Sequence, residues 1–180
     1  TLAMLEHDLA VLQSLGVDQV SFYPLMTAPS ARHAMQKTMG LADTRLRHPM
    51  YERILGRMLP GYRAASAWCF SRSEGMFDEY IIDQDDYVGV GSGAFSYVNG
   101  VMYATTFSLN VYHELISAGR SAITRSRHLA THERQRYEML LKLFGLRMDR
   151  EWMRQRFGPR FEASMAFELA ALRLAGALRK

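Results

Sequence analysis

Cysteine is almost missing from this chain: Cys69 is the single one in 180 residues. One thiol cannot close an internal disulfide. Nor can it alone hold zinc or an iron–sulfur cluster, both of which need several thiolates or imidazoles. This usage fits a reducing, cytoplasmic setting. Long apolar runs are missing as well. No stretch approaches the roughly 18–20 residues that cross a bilayer, so a soluble chain with no membrane span is expected. There is no charged leader with an apolar stretch and cleavage site, and no secretory signal is expected. The chain starts at Thr1 with helical patterning already under way, which gives the expectation that it is part of something longer. Charge of one sign is scarce too. The net +4 is a mild excess spread through helices, which reads as solvated faces and not as a nucleic-acid surface.

What is present describes an ordinary globular chain. Hydrophobic residues make up 48% and charged residues 22%, which excludes a disordered polymer. The length allows one good core or one and a half small ones. Methionine is abundant at 12 residues, and its adaptable side chain reads first as core filler.

The pattern along the chain is mixed α/β before residue 107 and helical after it. Leu2, Leu5, Leu9 and Leu12 recur at helical spacing, with Gly16 placed as a C-terminal cap. A strand is expected over residues 17–25, where Val20, Phe22 and Tyr23 precede Pro24. Helix, glycine turn, strand is the half-unit of an α/β barrel. A mostly helical stretch is expected over 31–59, broken near His48-Pro49 and ended by Pro60-Gly61. Residues 64–70 read as a short buried strand, with further extended pieces at 80–82 and 87–90. Asn99-Gly100 between residues 95–98 and 101–105 is the favoured pair for a two-residue hairpin turn. Helices are then expected over 109–118, 131–144 with Thr131 as the cap, 149–157 and 162–178. Tyr137, Leu140, Leu141 and Phe144 form the apolar stripe of the second.

The most informative stretch is Tyr87-Val88-Gly89-Val90-Gly91-Ser92-Gly93-Ala94-Phe95-Ser96. Three alternating glycines weaken a strand. Either the backbone must lie close to a bound ligand, or the segment is a bulged edge leading into the hairpin. It is not a dinucleotide fingerprint, because a hairpin follows where a helix is required. It is not a phosphate-binding Walker loop, since no Gly-Lys-Ser/Thr occurs. Asp83, Asp85 and Asp86 do not make an EF-hand. Val88 stands where that loop needs glycine, and Ala94 where it needs glutamate. They read as solvated turn acids. His128 and His132 are four apart, but Thr131 reads as the helix start, which leaves His128 outside it and the pair without a third metal ligand.

This stretch resembles the Tyr-x-Gly-x-Gly-x-Gly-Ala-x-Ser signature of the oxygen-independent coproporphyrinogen III oxidases and their relatives in the radical S-adenosylmethionine (SAM) superfamily. Ser21-Phe22-Tyr23-Pro24-Leu25 is similar to that family's last barrel strand, and residues 112–157 to its helical C-terminal domain. The resemblance implies an α/β fold: the C-terminal portion of a partial (β/α)6 TIM-like barrel, then a β-hairpin and a mainly helical domain. It divides the chain into 1–107, carrying the last barrel units, glycine loop and hairpin, and 108–180. The family uses a [4Fe–4S] cluster and SAM to generate a 5′-deoxyadenosyl radical. The cluster's cysteine motif is absent here, so its ligands would lie in a missing N-terminal barrel half, and the chain alone would be inactive.

Carried over, Tyr23, Pro24 and Leu25 would edge the SAM pocket. Gly89, Gly91, Ser92, Gly93, Ala94 and Phe95 would form the loop beside SAM and substrate. Phe95 stands at a position that is aliphatic in the porphyrinogen enzyme. The implied substrate is a tetrapyrrole or another organic molecule. The implied reaction is an oxidase-like decarboxylation or a class C methyl transfer, with a haem-binding chaperone of the same fold as the alternative. Residues 74–79 do not reproduce the aromatic–glutamine pair of the decarboxylating enzyme, which favours a methyltransferase or another relative.

Overall fold

A computed structural model describes residues 1–25, 32–40, 43–73 and 85–178. The expected extended piece at 80–82, the departure at 74–79 and Asp83 lie outside the described residues. The chain forms two compact units, Thr1–Phe77 and Asp78–Lys180. The change in composition near residue 107 falls inside the second.

The first unit packs two helices against a small sheet. Helix α1 (Leu2–Leu15) is capped by the Thr1 hydroxyl, which accepts the Met4 amide at 3.3 Å, and ends at Gly16 in the left-handed region, as its pattern predicts. Strand β1 is shorter than expected, Gln19–Ser21. Its partner sets the limit. β3 (Cys69–Ser71) offers only Cys69, Phe70 and Ser71 as antiparallel partners, and Pro24 has no N–H to extend the ladder. Residues 64–70 are not one strand but a tight hairpin. β2 (Arg63–Ala64) pairs with β3, and the Ser66 hydroxyl accepts the amides of Trp68 and Cys69 at 3.3 and 3.1 Å, which turns the chain.

The helical stretch after residue 31 breaks earlier than expected. Helix α2 (Arg32–Met39) ends before Gly40, and α3 (Arg47–Met58) carries Pro49 in its first turn. An amide there has no intrahelical acceptor, so the missing N–H of proline costs nothing. Leu9, Ile54, Met58, Tyr62 and Phe70 form the core, with Val20 and Phe22 packed against it. Glu6 on α1 pairs with Arg53 and Arg57 on α3.

The second unit is a three-stranded sheet with helices. β4 (Phe95–Val98) and β5 (Val101–Thr105) form the expected hairpin, with Asn99 at φ 52° and Gly100 at φ 78°. This is the doubly left-handed turn that Asn-Gly favours. Helix α4 (Leu109–Ser117) follows, capped by Ser108. The expected run of helices is then interrupted by a strand, β6 (Ile123–His128), paired with β5. All six of its residues are exposed, so it lacks the apolar alternation that marks a strand in a sequence.

Helix α5 (Thr131–Phe144) starts at Thr131 itself, so its cap lies one residue before the expected one. Ala130 is the cap residue, and the Glu133 carboxylate accepts its amide at 3.0 Å. The stripe also differs: Gln135, Glu138 and Met139 are buried, whereas Leu140 is 58% exposed. Helix α6 (Arg150–Phe157) is capped by Asp149. The last expected helix is two, α7 (Phe161–Ser164) and α8 (Ala166–Leu174), because Met165 leaves helical geometry at φ −111°. Its side chain is fully buried beside Met139, Met153, Phe161 and Leu169. Methionine thus does serve as core filler.

Candidate ligand-binding loop

Residues 88–96 form a braced arch between two tyrosines. Tyr87 and Tyr97 exchange both backbone hydrogen bonds, at 2.7 and 2.9 Å. Inside the arch, the Gly89 amide donates to the Ser96 hydroxyl at 3.1 Å. The Gly93 amide and the Ser92 hydroxyl both donate to the Thr106 carbonyl at 2.8 Å. Thr105 is the centre of the brace: its hydroxyl accepts the Ala94 amide at 2.9 Å and donates to the Gly91 carbonyl at 2.6 Å.

The three glycines are there for different reasons. A Cβ on Gly89 would stand 2.2 Å from the Phe95 carbonyl oxygen, so backbone packing excludes one. Gly93 has φ 72° and lies under the Phe107 ring, 3.0 Å from where a Cβ would be. Gly91 has φ 113° and, among the described residues, no atom within 4 Å of its Cβ position. Packing accounts for Gly89, packing and turn geometry for Gly93, and turn geometry for Gly91, whose Cβ position alone of the three meets no described atom. Around it, Val88 is 75%, Val90 89% and Phe95 50% exposed, and Phe95 meets Phe107 edge-on at 6.0 Å. Ser92 and Ala94 are taken up in the brace. The loop offers an apolar, partly aromatic surface around an unobstructed peptide.

Behind the loop lies a polar cluster that the sequence did not disclose. The Tyr97 hydroxyl donates to the Glu138 carboxylate at 2.7 Å, and the Tyr87 and Tyr137 hydroxyls are 2.7 Å apart. Burial, and then the bond to Glu138, push the Tyr97 phenol up to about 12. Burial and the bond to Tyr87 also raise the Tyr137 phenol. Glu138 is held by Arg156, whose guanidinium is raised chiefly by that bond. Asp86 caps the hairpin by accepting the Asn99 amide at 2.8 Å, and Asp85 lies 3.9 Å from both Lys142 and Arg156. These acids do more than meet solvent.

In the first unit, residues 22–25 run on from β1. The Phe22 amide donates to the Trp68 carbonyl at 2.8 Å. Tyr23 is 54% exposed and packs edge-on against Trp68 at 5.6 Å. Pro24 is half-buried, and Leu25 is exposed with its carbonyl accepting from Arg47 at 3.1 Å. Cys69 is buried, and among the described residues no three His, Cys, Asp or Glu side chains are grouped to hold a metal ion. His128 lies in β6 while His132 on α5 faces Glu168 at 3.7 Å. A groove of about 400 Å³ between α1 and α3 is lined by Leu2, Pro49, Glu52, Arg53, Gly56 and Arg57 and holds none of the expected site residues. No helix among the described residues is long and apolar enough to cross a membrane.

No protein-family model matches the chain, and no curated protein matches its sequence. Among solved structures, the fold is similar to part of one described as a radical SAM enzyme. That enzyme is coproporphyrinogen III oxidase (HemN) from Escherichia coli, matched with a TM-score of 0.71 at 19% identity over 98% of this chain. The chain spans 45% of that enzyme's length.

Proposed function

We propose that the chain is the C-terminal portion of a radical SAM enzyme of the oxygen-independent coproporphyrinogen III oxidase type, acting on a tetrapyrrole or similar organic substrate. A fold shared over 98% of the chain supports the reading, and so does the glycine signature. The observation that carries it is Gly91: an ordered loop keeps one peptide bare, at a φ that side chains avoid, amid exposed Val88, Val90 and Phe95.

The cluster does not fit this chain. A single buried thiol cannot ligate it, so its ligands would belong to a barrel half outside these residues. SAM or an organic substrate does fit the loop. An apolar face with a few fixed polar groups is the usual composition of such sites. The backbone at Gly91 would approach the ligand, and Phe95 would offer a flat surface for a ring. Tyr23, Pro24 and Leu25 would contribute to SAM binding from the end of β1. The partial barrel, a cytoplasmic location and a substrate other than nucleic acid belong to the same proposal. The sequence of residues 74–79 turns the choice of reaction toward methyl transfer or toward that of another relative.

The test is equilibrium binding of SAM to the reconstituted full-length protein. Gly91→Val should abolish binding with the cluster retained, and Asn99→Ala should leave it unchanged. Normal SAM affinity in Gly91→Val would make the loop a structural bulge. Stoichiometric haem binding without SAM-dependent turnover would move the protein to the haem-carrier reading.

A further inference from the structure

Both stems of the glycine loop are fastened to one helix. Tyr87 and Tyr97 bracket residues 88–96, and their hydroxyls reach adjacent positions on α5, Tyr137 and Glu138. Neighbouring residues on a helix point about 100° apart, so the stems are gripped from two directions. Glu138 is 3% exposed. Beyond Tyr97, it accepts from Arg156 Nε and, at 3.1 Å, from Arg156 Nη2, with Arg134 Nη2 at 3.7 Å. Arg134 also covers the far end of the hairpin, since a Cβ on Gly100 would stand 2.6 Å from its Nε.

Stability alone does not explain a carboxylate at this place. Burying an ion pair costs much of what its attraction returns, and an apolar residue of similar volume often serves as well or better. What Glu138 supplies and a leucine would not is a directed bond to the Tyr97 hydroxyl. Arg156 on α6 fixes the carboxylate in turn, so the helical part of the unit reaches the loop through a chain of charge-assisted hydrogen bonds, the stronger kind.

We propose that Glu138, held by Arg156, is a positioning residue for the glycine loop. Through Tyr97, and beside the Tyr87–Tyr137 contact, it sets where Gly91 and Phe95 are presented, without touching the ligand. The inference rests on the reading of residues 89–95 as a ligand loop.

The experiment uses the full-length protein and two variants: Tyr97→Phe, which removes one hydroxyl, and Glu138→Gln, which keeps the size and removes the charge. In the first arm, hydrogen exchange at the Tyr87, Gly89 and Tyr97 amides should accelerate roughly tenfold, the scale of a lost hydrogen bond to a charged acceptor, while the Met153 amide in α6 keeps its rate. In the second arm, calorimetry should find SAM bound roughly tenfold more weakly. Melting is recorded beside both. A merely structural role would lower Tm while leaving loop exchange and SAM affinity at wild-type values well below it, and that result overturns the proposal. If the wild type binds no SAM yet Tyr97→Phe loosens the loop, the positioning role stands and the functional reading falls. Should Glu138→Gln fail to fold, Tyr97→Phe alone decides.

Discussion

The Phe95 carbonyl oxygen occupies the space a Gly89 side chain would need: the Cβ position lies 2.2 Å from it. Gly91, two residues on, has open space but φ 113°. The two glycines therefore respond differently to alanine. Gly89→Ala must move the start of β4 and should cost about 2–3 kcal/mol, as overpacking does. Gly91→Ala meets only the backbone penalty, roughly 1–2 kcal/mol. Urea unfolding of both variants checks the order. Equal losses, or a larger one at Gly91, would contradict it.

Thr105 holds the arch from inside through its bonds to Ala94 and Gly91. Thr105→Val keeps the shape and strands both partners, so it should destabilise by roughly 1–3 kcal/mol. Exchange at the Ala94 amide should accelerate with it. An unchanged amide would mean that the brace is not formed in solution.

The hairpin turn depends on two side chains. Asn99 sits at φ 52° and its amide donates to Asp86. Asn99→Gly should be nearly neutral and Asn99→Ala should cost about 1 kcal/mol. Asp86→Ala should cost about 1 kcal/mol through the lost acceptor. Thermal melting of the three variants gives the comparison, and a destabilised Asn99→Gly would refute the turn argument.

The phenols behind the loop predict an alkaline limit. Tyr97 titrates near 12 in the folded state and near 10 when unfolded. Its neutral form is therefore favoured by folding. That stability is complete below about pH 10 and is lost as pH rises from there toward 12. Spectroscopic titration of the nine tyrosines should show a late component that shrinks in Tyr97→Phe. A single step near 10 in protein that is still folded would contradict the buried Tyr97–Glu138 bond.

How far the sequence disclosed this architecture varied with the physics of each element. α1 and the hairpin were legible because local signals decide them: a leucine period with Gly16, and Asn99-Gly100. β6 was not, because an exposed strand carries no apolar alternation. The hairpin at 64–70 was hidden because Ser66 turns the chain without glycine or proline. At the candidate loop, the glycine motif marked residues 87–96 but did not distinguish Gly89 and Gly93, whose Cβ positions meet neighbouring atoms, from Gly91, whose position meets no described atom. Tyr97, Glu138 and Arg156 come together from distant positions, and no spacing in the sequence announces that.

Expressed by itself, the chain should bind no stoichiometric iron–sulfur cluster after anaerobic reconstitution, since Cys69 is one buried thiol. Absorbance and iron analysis on the monomer give the answer. One full [4Fe–4S] cluster per chain would overturn the assignment of its ligands to a region outside these residues.

The most direct test of the central claim is the yield of 5′-deoxyadenosine when the full-length protein, anaerobically reconstituted and reduced with dithionite, is incubated with SAM. Wild type should form 5′-deoxyadenosine, and Gly91→Val should lose it with the cluster spectrum unchanged. A protein that holds its cluster and forms no 5′-deoxyadenosine, or a Gly91→Val variant as productive as wild type, would contradict it.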